Sequence, residues 1–320
     1  MRFLKDWTLP VAMVTGAAIY FLFALAPALG GVSAVMSPVF DAVLPWMLFL
    51  ILFVTFCKVD FHRLRPTRWH LWVSMAQVLL VALLVGVMRL AGLQGFGRVL
   101  VECAVVCFIC PTAAAAAVVT AKLDGDLEAM TGYTFISNLL ASASIPFFFP
   151  IMEVEHANVE FAALFLRILC KVFMVLVLPM VLAHVVKHDA PRLQGLIRSK
   201  PDLGFYLWAF LLMMVTGVTL RNMRSAQVTP AGIAAIAGVS LLACVLQFAI
   251  GRCVGRRFGA TVEAGQGLGQ KNTSFAIWAA SAYLAPLTSV APGCYILWQN
   301  AVNSLQLYRH QRRSSRYASR

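Results

Sequence analysis

A chain of 320 residues that is 61% hydrophobic and only 12% charged is not a soluble globular protein, which would carry about twice that charge. Its mean hydropathy of +0.81 places it in a lipid bilayer, and its length suits a single membrane domain over 1–320. The net charge of +13 does not point to nucleic acid: the basic residues sit in short loops between apolar runs, where the positive-inside rule accounts for them.

The N-terminus imitates a secretory signal, with Arg2 and Lys5 ahead of an apolar run and Ala24-Leu25-Ala26 behind it. The run is longer than a signal core, so it reads as a first span. Between Trp7 and Cys57 the only charge is Asp41, which is room for two spans, with Pro27, Gly30, Gly31 and Pro38 marking the turn. A basic loop from Lys58 to Arg68 leads into a third span, Trp69 to Met88, carrying one amide, Gln77. A fourth begins near Val99 and meets Cys110-Pro111-Thr112 midway. Proline there removes a helix hydrogen bond and clashes with the preceding turn, so this span reads as a broken helix.

After the charged loop Lys122 to Glu128, the fifth span, Ala129 to Pro150, carries Thr131, Tyr133, Thr134, Ser137, Asn138, Ser142 and Ser144. So many polar side chains require other helices or a cavity beside it rather than lipid. Glu153, Glu155 and Glu160 form an acidic loop. The sixth span, Phe161 to Val186, holds Arg167 and Lys171 four apart on one face. They could attract an anionic solute, but such residues near a span end more often snorkel to headgroups. A polar linker from Lys187 to Asp202 separates two halves, 1–152 and 153–320. The seventh span is Leu203 to Leu220 and the eighth Pro230 to Gly251, followed by the basic loop Arg252 to Arg257.

The ninth span contains Gly265-Gln266-Gly267-Leu268-Gly269-Gln270-Lys271-Asn272-Thr273-Ser274. Such a run cannot face lipid as plain helix, because glycines loosen it and the freed backbone groups need partners. A charge at that depth marks a functional site by default. We therefore expect a second helix broken in mid-membrane around a polar cavity, as in many secondary transporters. The tenth span, Pro292 to Tyr308, ends in a basic tail.

Loop charges orient the plan. Only Arg89, Arg98, Arg221 and Arg224 fall in loops assigned outside, and only Arg167, Lys171 and Lys271 within spans. All other Lys and Arg lie on segments that are inside if both termini are cytoplasmic. In a bacterium this would be the inner membrane. Tyr133 and Asn138 recur, at one spacing, as Tyr295 and Asn300, and the same shift lays Cys110-Pro111-Thr112 on Asn272-Thr273-Ser274. Five spans per half is odd, so the expected fold class is an all-α polytopic membrane protein with ten transmembrane helices in a five-plus-five inverted repeat.

Other chemistry is sparse. Most of the eight cysteines fall within spans, so no disulfide framework is implied. Cys103, Cys107 and Cys110 share a helical face, yet metal sites usually add His or carboxylate ligands, and soft packing residues are the plainer reading. We assign no metal and no cofactor. His62, His70, His156, His184, His188 and His310 lie at loops or span ends, and no catalytic arrangement appears, so an enzyme is not expected.

The chain resembles the bile acid:sodium symporters, within the wider superfamily of sodium-coupled organic-anion transporters. The carrying stretches are Cys110-Pro111 through Val118-Val119-Thr120, Thr134 through Leu140, and Gly269 to Asn272. The family's crossover helix reads roughly Cys-Pro-Gly-Gly-Thr-Ala-Ser-Asn-Val-Val-Thr and its partner Glu-Val-Gly-Met-Gln-Asn. The resemblance implies a core of spans three to five and eight to ten, a panel of spans one, two, six and seven, and a small organic-anion solute bound in the crevice between them. It also exposes departures. The family's serine and asparagine sodium ligands fall on Ala116 and Ala117, its glutamate on Gly267, its glutamine on Lys271, and a serine of the fifth span on Met130. Gln77, Thr134 and Asn272 persist. Ordinary sodium coupling is therefore doubtful.

At the crossover, half-helix N-termini would aim partial positive charge into a shared space. Lys271 could clamp the backbone where relatives hold sodium, carry a proton because burial penalises the ammonium, or touch solute. Candidate site residues are Gln77, Pro111, Thr112, Thr134, Asn138, Gly267, Gln270, Lys271, Asn272, Thr273 and Asn300; for the amides and hydroxyls, plain interhelical hydrogen bonding is the competing role. The functional expectation is a secondary active transporter of an organic anion, bile-acid-like or a small carboxylate, working by alternating access. The rival is a non-transporting solute sensor on the same fold.

Overall fold

The computed structural model describes residues 8–26, 30–60, 64, 66–153, 160–200, 202–226 and 228–318, with side chains at 8–9, at 30–37 and beyond 312 left aside. Arg2, Lys5, Trp7, Pro27, His62, Glu155 and His156, which enter the sequence argument, lie outside the described residues.

Every described element is helical: α1 (Thr8–Leu25), α2 (Gly30–Cys57), α3 (Arg68–Leu90), α4 (Gly95–Ile109), α5 (Ala115–Lys122), α6 (Leu127–Met152), α7 (Phe161–Leu176), α8 (Leu178–Asp189), α9 (Pro191–Arg198), α10 (Leu203–Ser225), α11 (Pro230–Arg256), α12 (Thr261–Gly269), α13 (Thr273–Tyr283), a 3-10 turn Pro286–Ser289, and α14 (Val290–Ala318). Among the described residues, six helical stretches are long and apolar enough to cross a membrane: Pro38–Cys57, Arg68–Leu90, Leu127–Met152, Phe161–Asp189, Leu203–Ser225 and Pro230–Arg256. This is an integral membrane protein.

The expected fourth and ninth spans are each two short helices separated by non-helical backbone. α4 and α5 are parted at 110–114, and α12 and α13 at 270–272. Elsewhere the local reading needs correction. Gly30, Gly31 and Pro38 are not a turn but part of α2, which also carries Pro45. Membrane helices tolerate proline because neighbouring groups satisfy the freed carbonyls. The sixth span is interrupted at Val177, ahead of Pro179, whose nitrogen cannot donate. The polar linker contains α9, started by Pro191. α4 begins at Gly95 rather than near Val99, so Arg98 stands on a helix and not in a loop. The basic tail continues α14 to Ala318.

α6 is the central helix: 61% of its apolar window is buried, against 28–33% in the other five stretches. Its crowd of small hydroxyls is thus turned to protein, as its composition required. α11 packs along α4, α12 and α14, whereas α1 packs on α10, and α2 on α8 and α10. α11 and α12 approach very closely at Gly251 and Gly255, four apart on one face, where the carbonyls of Ala264 and Ala260 occupy the space of a side chain. That contact fixes the first half of the second broken helix.

Candidate functional site: the crossing of two broken helices

The two breaks touch. Thr112 and Lys271 form an isolated antiparallel bridge. Ala113 N–H donates to the Gln270 carbonyl at 2.9 Å, and Asn272 N–H donates to the Pro111 carbonyl at 2.8 Å. Each break supplies the partners that the other has lost, which is the condition for non-helical backbone at membrane depth.

The remaining carbonyls at the ends of α4 and α12 are met by side chains from around the crossing. Gln77 Nε2 donates to the Ile109 carbonyl at 3.0 Å, and Gln247 Nε2 to the Cys107 carbonyl at 3.1 Å. Tyr295 Oη donates to the Gly269 carbonyl at 2.7 Å and accepts from Gln247 at 2.9 Å. Thr112 Oγ1 donates to the Gly267 carbonyl at 2.6 Å, while Thr112 N–H donates to Ser137 Oγ at 2.8 Å. Asn272 caps α13, its side chain accepting from Phe275 N–H at 3.2 Å.

Lys271 lies in the middle, 1% exposed. Its Nζ donates to Gln77 Oε1 at 3.0 Å, and its backbone N–H donates to Gln299 Oε1 at 2.9 Å. The ammonium is thus relayed through Gln77 onto the last carbonyl of α4. The sequence argument weighed the half-helix N-termini, but two C-terminal ends meet here as well, and their partial negative charge favours a cation. A lysine, with donors and no acceptor, suits a cluster of carbonyls and amide oxygens.

Of the positions on which the resemblance would lay sodium ligands, Ala116, Ala117 and Met130 are apolar in character and in packing. Ala116, Ala117 and Met130 are buried in one cluster with Trp69, Val73, Tyr133 and Leu268. At Gly267, where the family's glutamate falls, a Cβ would stand 2.8 Å from the Tyr133 ring and 3.3 Å from the Trp69 ring. Aromatic rings fill the space a carboxylate stem would need. Thr134 Oγ1 is spent on the Met130 carbonyl of its own helix at 3.1 Å.

Not every residue singled out from sequence reaches the crossing. Asn138 donates back to the Thr134 carbonyl at 2.7 Å, and Asn300 to the Ile296 carbonyl at 2.7 Å, both within their own helices. Thr273 is buried at the start of α13, and the buried Gln270 side chain leaves its Oε1 unpartnered. Gln299, Gln247 and Ser137 do reach it. Only Ser137 had been noted, as one hydroxyl among many. His70, placed at a span end, is buried: its Nδ1 accepts from Thr67 N–H at 3.2 Å, so Nε2 carries the hydrogen and donates to the Ala129 carbonyl at 3.0 Å, tying α3 to α6. Glu102, wholly buried, also went unnoticed; Thr288 Oγ1 donates to it at 2.8 Å. Cys103, Cys107 and Cys110 are buried in the apolar core.

Apolar helices long enough to span a bilayer, together with two interrupted helices that pair at their breaks, define a polytopic membrane protein of the transporter class. Residues 45–230, more than half of the chain, match the Sodium Bile acid symporter family. The chain belongs to that family. The match includes the first break and ends at the start of α11, so Lys271 stands beyond it. Among curated proteins, none matches the chain.

Proposed function

We propose that this protein is a secondary active transporter of an organic anion, working by alternating access without conventional sodium coupling. The observation that carries this is the buried Lys271 ammonium at the helix crossing, on Gln77, next to sodium-ligand positions that are alanine, methionine and a ring-covered glycine. Sodium needs several oxygen ligands and a balancing negative charge. Here a covalently attached cation serves the same electrostatic purpose and does not leave. Proton coupling through Lys271 is compatible with this arrangement; sodium exchange is not.

Replacing sodium by choline at constant ionic strength should therefore leave proteoliposome uptake of an organic anion nearly unchanged. Loss of most uptake would mean that backbone carbonyls rebuild an ion site. Tight solute binding with no flux in the same vesicles would instead establish the sensor.

The proposal includes ten crossings in a five-plus-five inverted repeat with both termini cytoplasmic. Polar contacts between helix ends support it, because they sort into two sets. Lys58 donates to the Lys200 carbonyl, Lys187 pairs with Asp60, and His310 with Asp124. Arg98 pairs with Glu153, Arg221 with Asp41, and Asn222 donates to Ser289. The first set joins only segments assigned inside, the second only segments at the outer ends. A cysteine introduced at position 155 should accordingly be labelled from outside, and one at 195 only from inside. The reverse pattern at either site would break the inverted repeat.

A further inference from the structure

A cavity of about 640 Å³ lies between the last turns of α11 and the second half of α14, at the end of the molecule that the proposed orientation places inside. Arg252, Arg256, Arg309 and His310 line it, and among the described residues no aspartate or glutamate does. Asp124 stands outside the lining, with its carboxylate on His310 at 3.1 Å. Arg256 and Arg309 are exposed and make no hydrogen bond or ion pair with the described residues. The positive-inside rule accounts for the side of the membrane on which these arginines fall. It does not account for three guanidinium groups gathered round one space, where like charges repel.

One of the three is held in place. Arg252 Nη2 donates to Gln306 Oε1 at 3.2 Å, and that oxygen also accepts from Gln266 Nε2 at 3.1 Å. Gln266 donates in turn to Asn303 Oδ1 at 3.0 Å, so α11, α12 and α14 meet in one chain of polar contacts. The stem of Arg252 lies against α12 at Gly265, where a Cβ would stand 2.7 Å from Arg252 Cγ. This half-buried guanidinium spends one N–H on Gln306 and keeps other donors open. A donor fixed in advance loses little freedom on binding a ligand.

Leu242, Val245, Ala249, Arg252 and Arg256 follow one another at three and four residues, so one face of α11 is apolar toward mid-membrane and cationic at its end. Ala301, Leu305 and Arg309 repeat the pattern on α14. Leu242, Val245, Ala249 and Leu305 are exposed, so these apolar faces look out to lipid and lead into the cavity.

We infer that this cavity binds an anionic phospholipid of the cytoplasmic leaflet, its phosphate among Arg252, Arg256 and Arg309 and its acyl chains along the apolar faces of α11 and α14. Arginine forks match phosphate oxygens, and basic pockets between membrane helices on the cytoplasmic side suit such headgroups. A soluble phosphate would use the cations but leave the apolar faces without a role. The volume suits an organic headgroup rather than a single ion. The site is separate from the helix crossing and stands whether or not the protein moves a solute.

Delipidated protein in a neutral detergent tests this, by thermal shift and by lipid titration. Phosphatidylglycerol should raise the unfolding temperature, and phosphatidylcholine with the same acyl chains should raise it far less. The double change Arg256→Gln, Arg309→Gln should weaken phosphatidylglycerol by about twentyfold or more, each arginine near an anionic headgroup being worth about fivefold. Arg256→Lys with Arg309→Lys should keep most of the binding. Neither arginine has a partner among the described residues, so lipid-free stability should hold in both proteins. Arg192→Gln with Lys200→Gln removes the same charge from exposed positions also at the proposed inner end, and should leave binding unchanged. Equal weakening by that control pair would reduce the effect to general surface charge and overturn the site. Unchanged phosphatidylglycerol affinity in the Arg256→Gln, Arg309→Gln protein would overturn it, as would equal stabilisation by the two lipids. Inorganic phosphate matching the effect of phosphatidylglycerol would overturn the lipid in favour of a soluble anion.

Discussion

Lys271→Gln should lower the unfolding temperature of the detergent-purified protein and reduce solute uptake in parallel. The buried ammonium links Gln77, and through it the last carbonyl of α4, to the break in the second helix. Glutamine is shorter, uncharged and unable to offset two C-terminal helix ends. Loss of one charged hydrogen bond costs about 1.5–3 kcal/mol, more when the remaining acceptor is buried without a partner. Lys271→Met should cost more than Lys271→Gln, because it offers Gln77 Oε1 no donor. Combining either with Gln77→Leu should cost less than the sum of the single changes, since the pair shares one interaction. Other results separate the other roles. Abolished pH-driven accumulation with exchange retained identifies a proton carrier. Intact stability with weakened affinity identifies a solute contact. If stability, affinity and pH dependence all stay the same, Lys271 has none of these roles.

Gly251→Leu should yield little folded protein, and Gly251→Ala should fold with reduced stability. A Cβ at Gly251 would overlap the Ala264 carbonyl, and one at Gly255 the Ala260 carbonyl. Those are backbone atoms of α12 and its lead-in, which cannot rotate away as a side chain could. Overpacking of this kind costs about 1–3 kcal/mol even for modest insertions. The strain would fall on the half-helix that presents Gly267, Gly269 and Gln270 to the crossing. Fluorescence-detected size exclusion and a thermal ramp would check both variants. Gly238, one helical face away in effect, has open space at its Cβ position, so Gly238→Ala is the control and should behave like the unmodified protein. Equal stability of Gly251→Ala and Gly238→Ala would show that α11 and α12 are not held as closely as drawn.

Much of this was legible without coordinates because it is local. An apolar run declares a membrane helix by its own length. Proline at 111 removes a helix hydrogen bond and glycines at 265, 267 and 269 weaken the helix that ends beside them, so both breaks could be found in the chain. A lysine in such a break was conspicuous for its cost alone. Asn272 could be placed at the break, and the structure makes it the cap of α13.

Which polar side chains serve the breaks depends on how each long helix is turned about its axis, and sequence does not display that. Gln299 reaches the backbone of Lys271, whereas Asn300, the residue expected there, donates to its own helix. The two differ by one position, which is about 100° of rotation on an α-helix. Asn138 likewise looks as suitable as Ser137, and only Ser137 meets Thr112. Gln247 was one amide in an apolar run until Tyr295 and Cys107 stood beside it. Sequence by itself determined the membrane class, the two breaks and the charge at the second. Tertiary structure alone decided which side chains close them and what fills the positions of the lost ligands, because those depend on the rotation and approach of helices far apart in the chain.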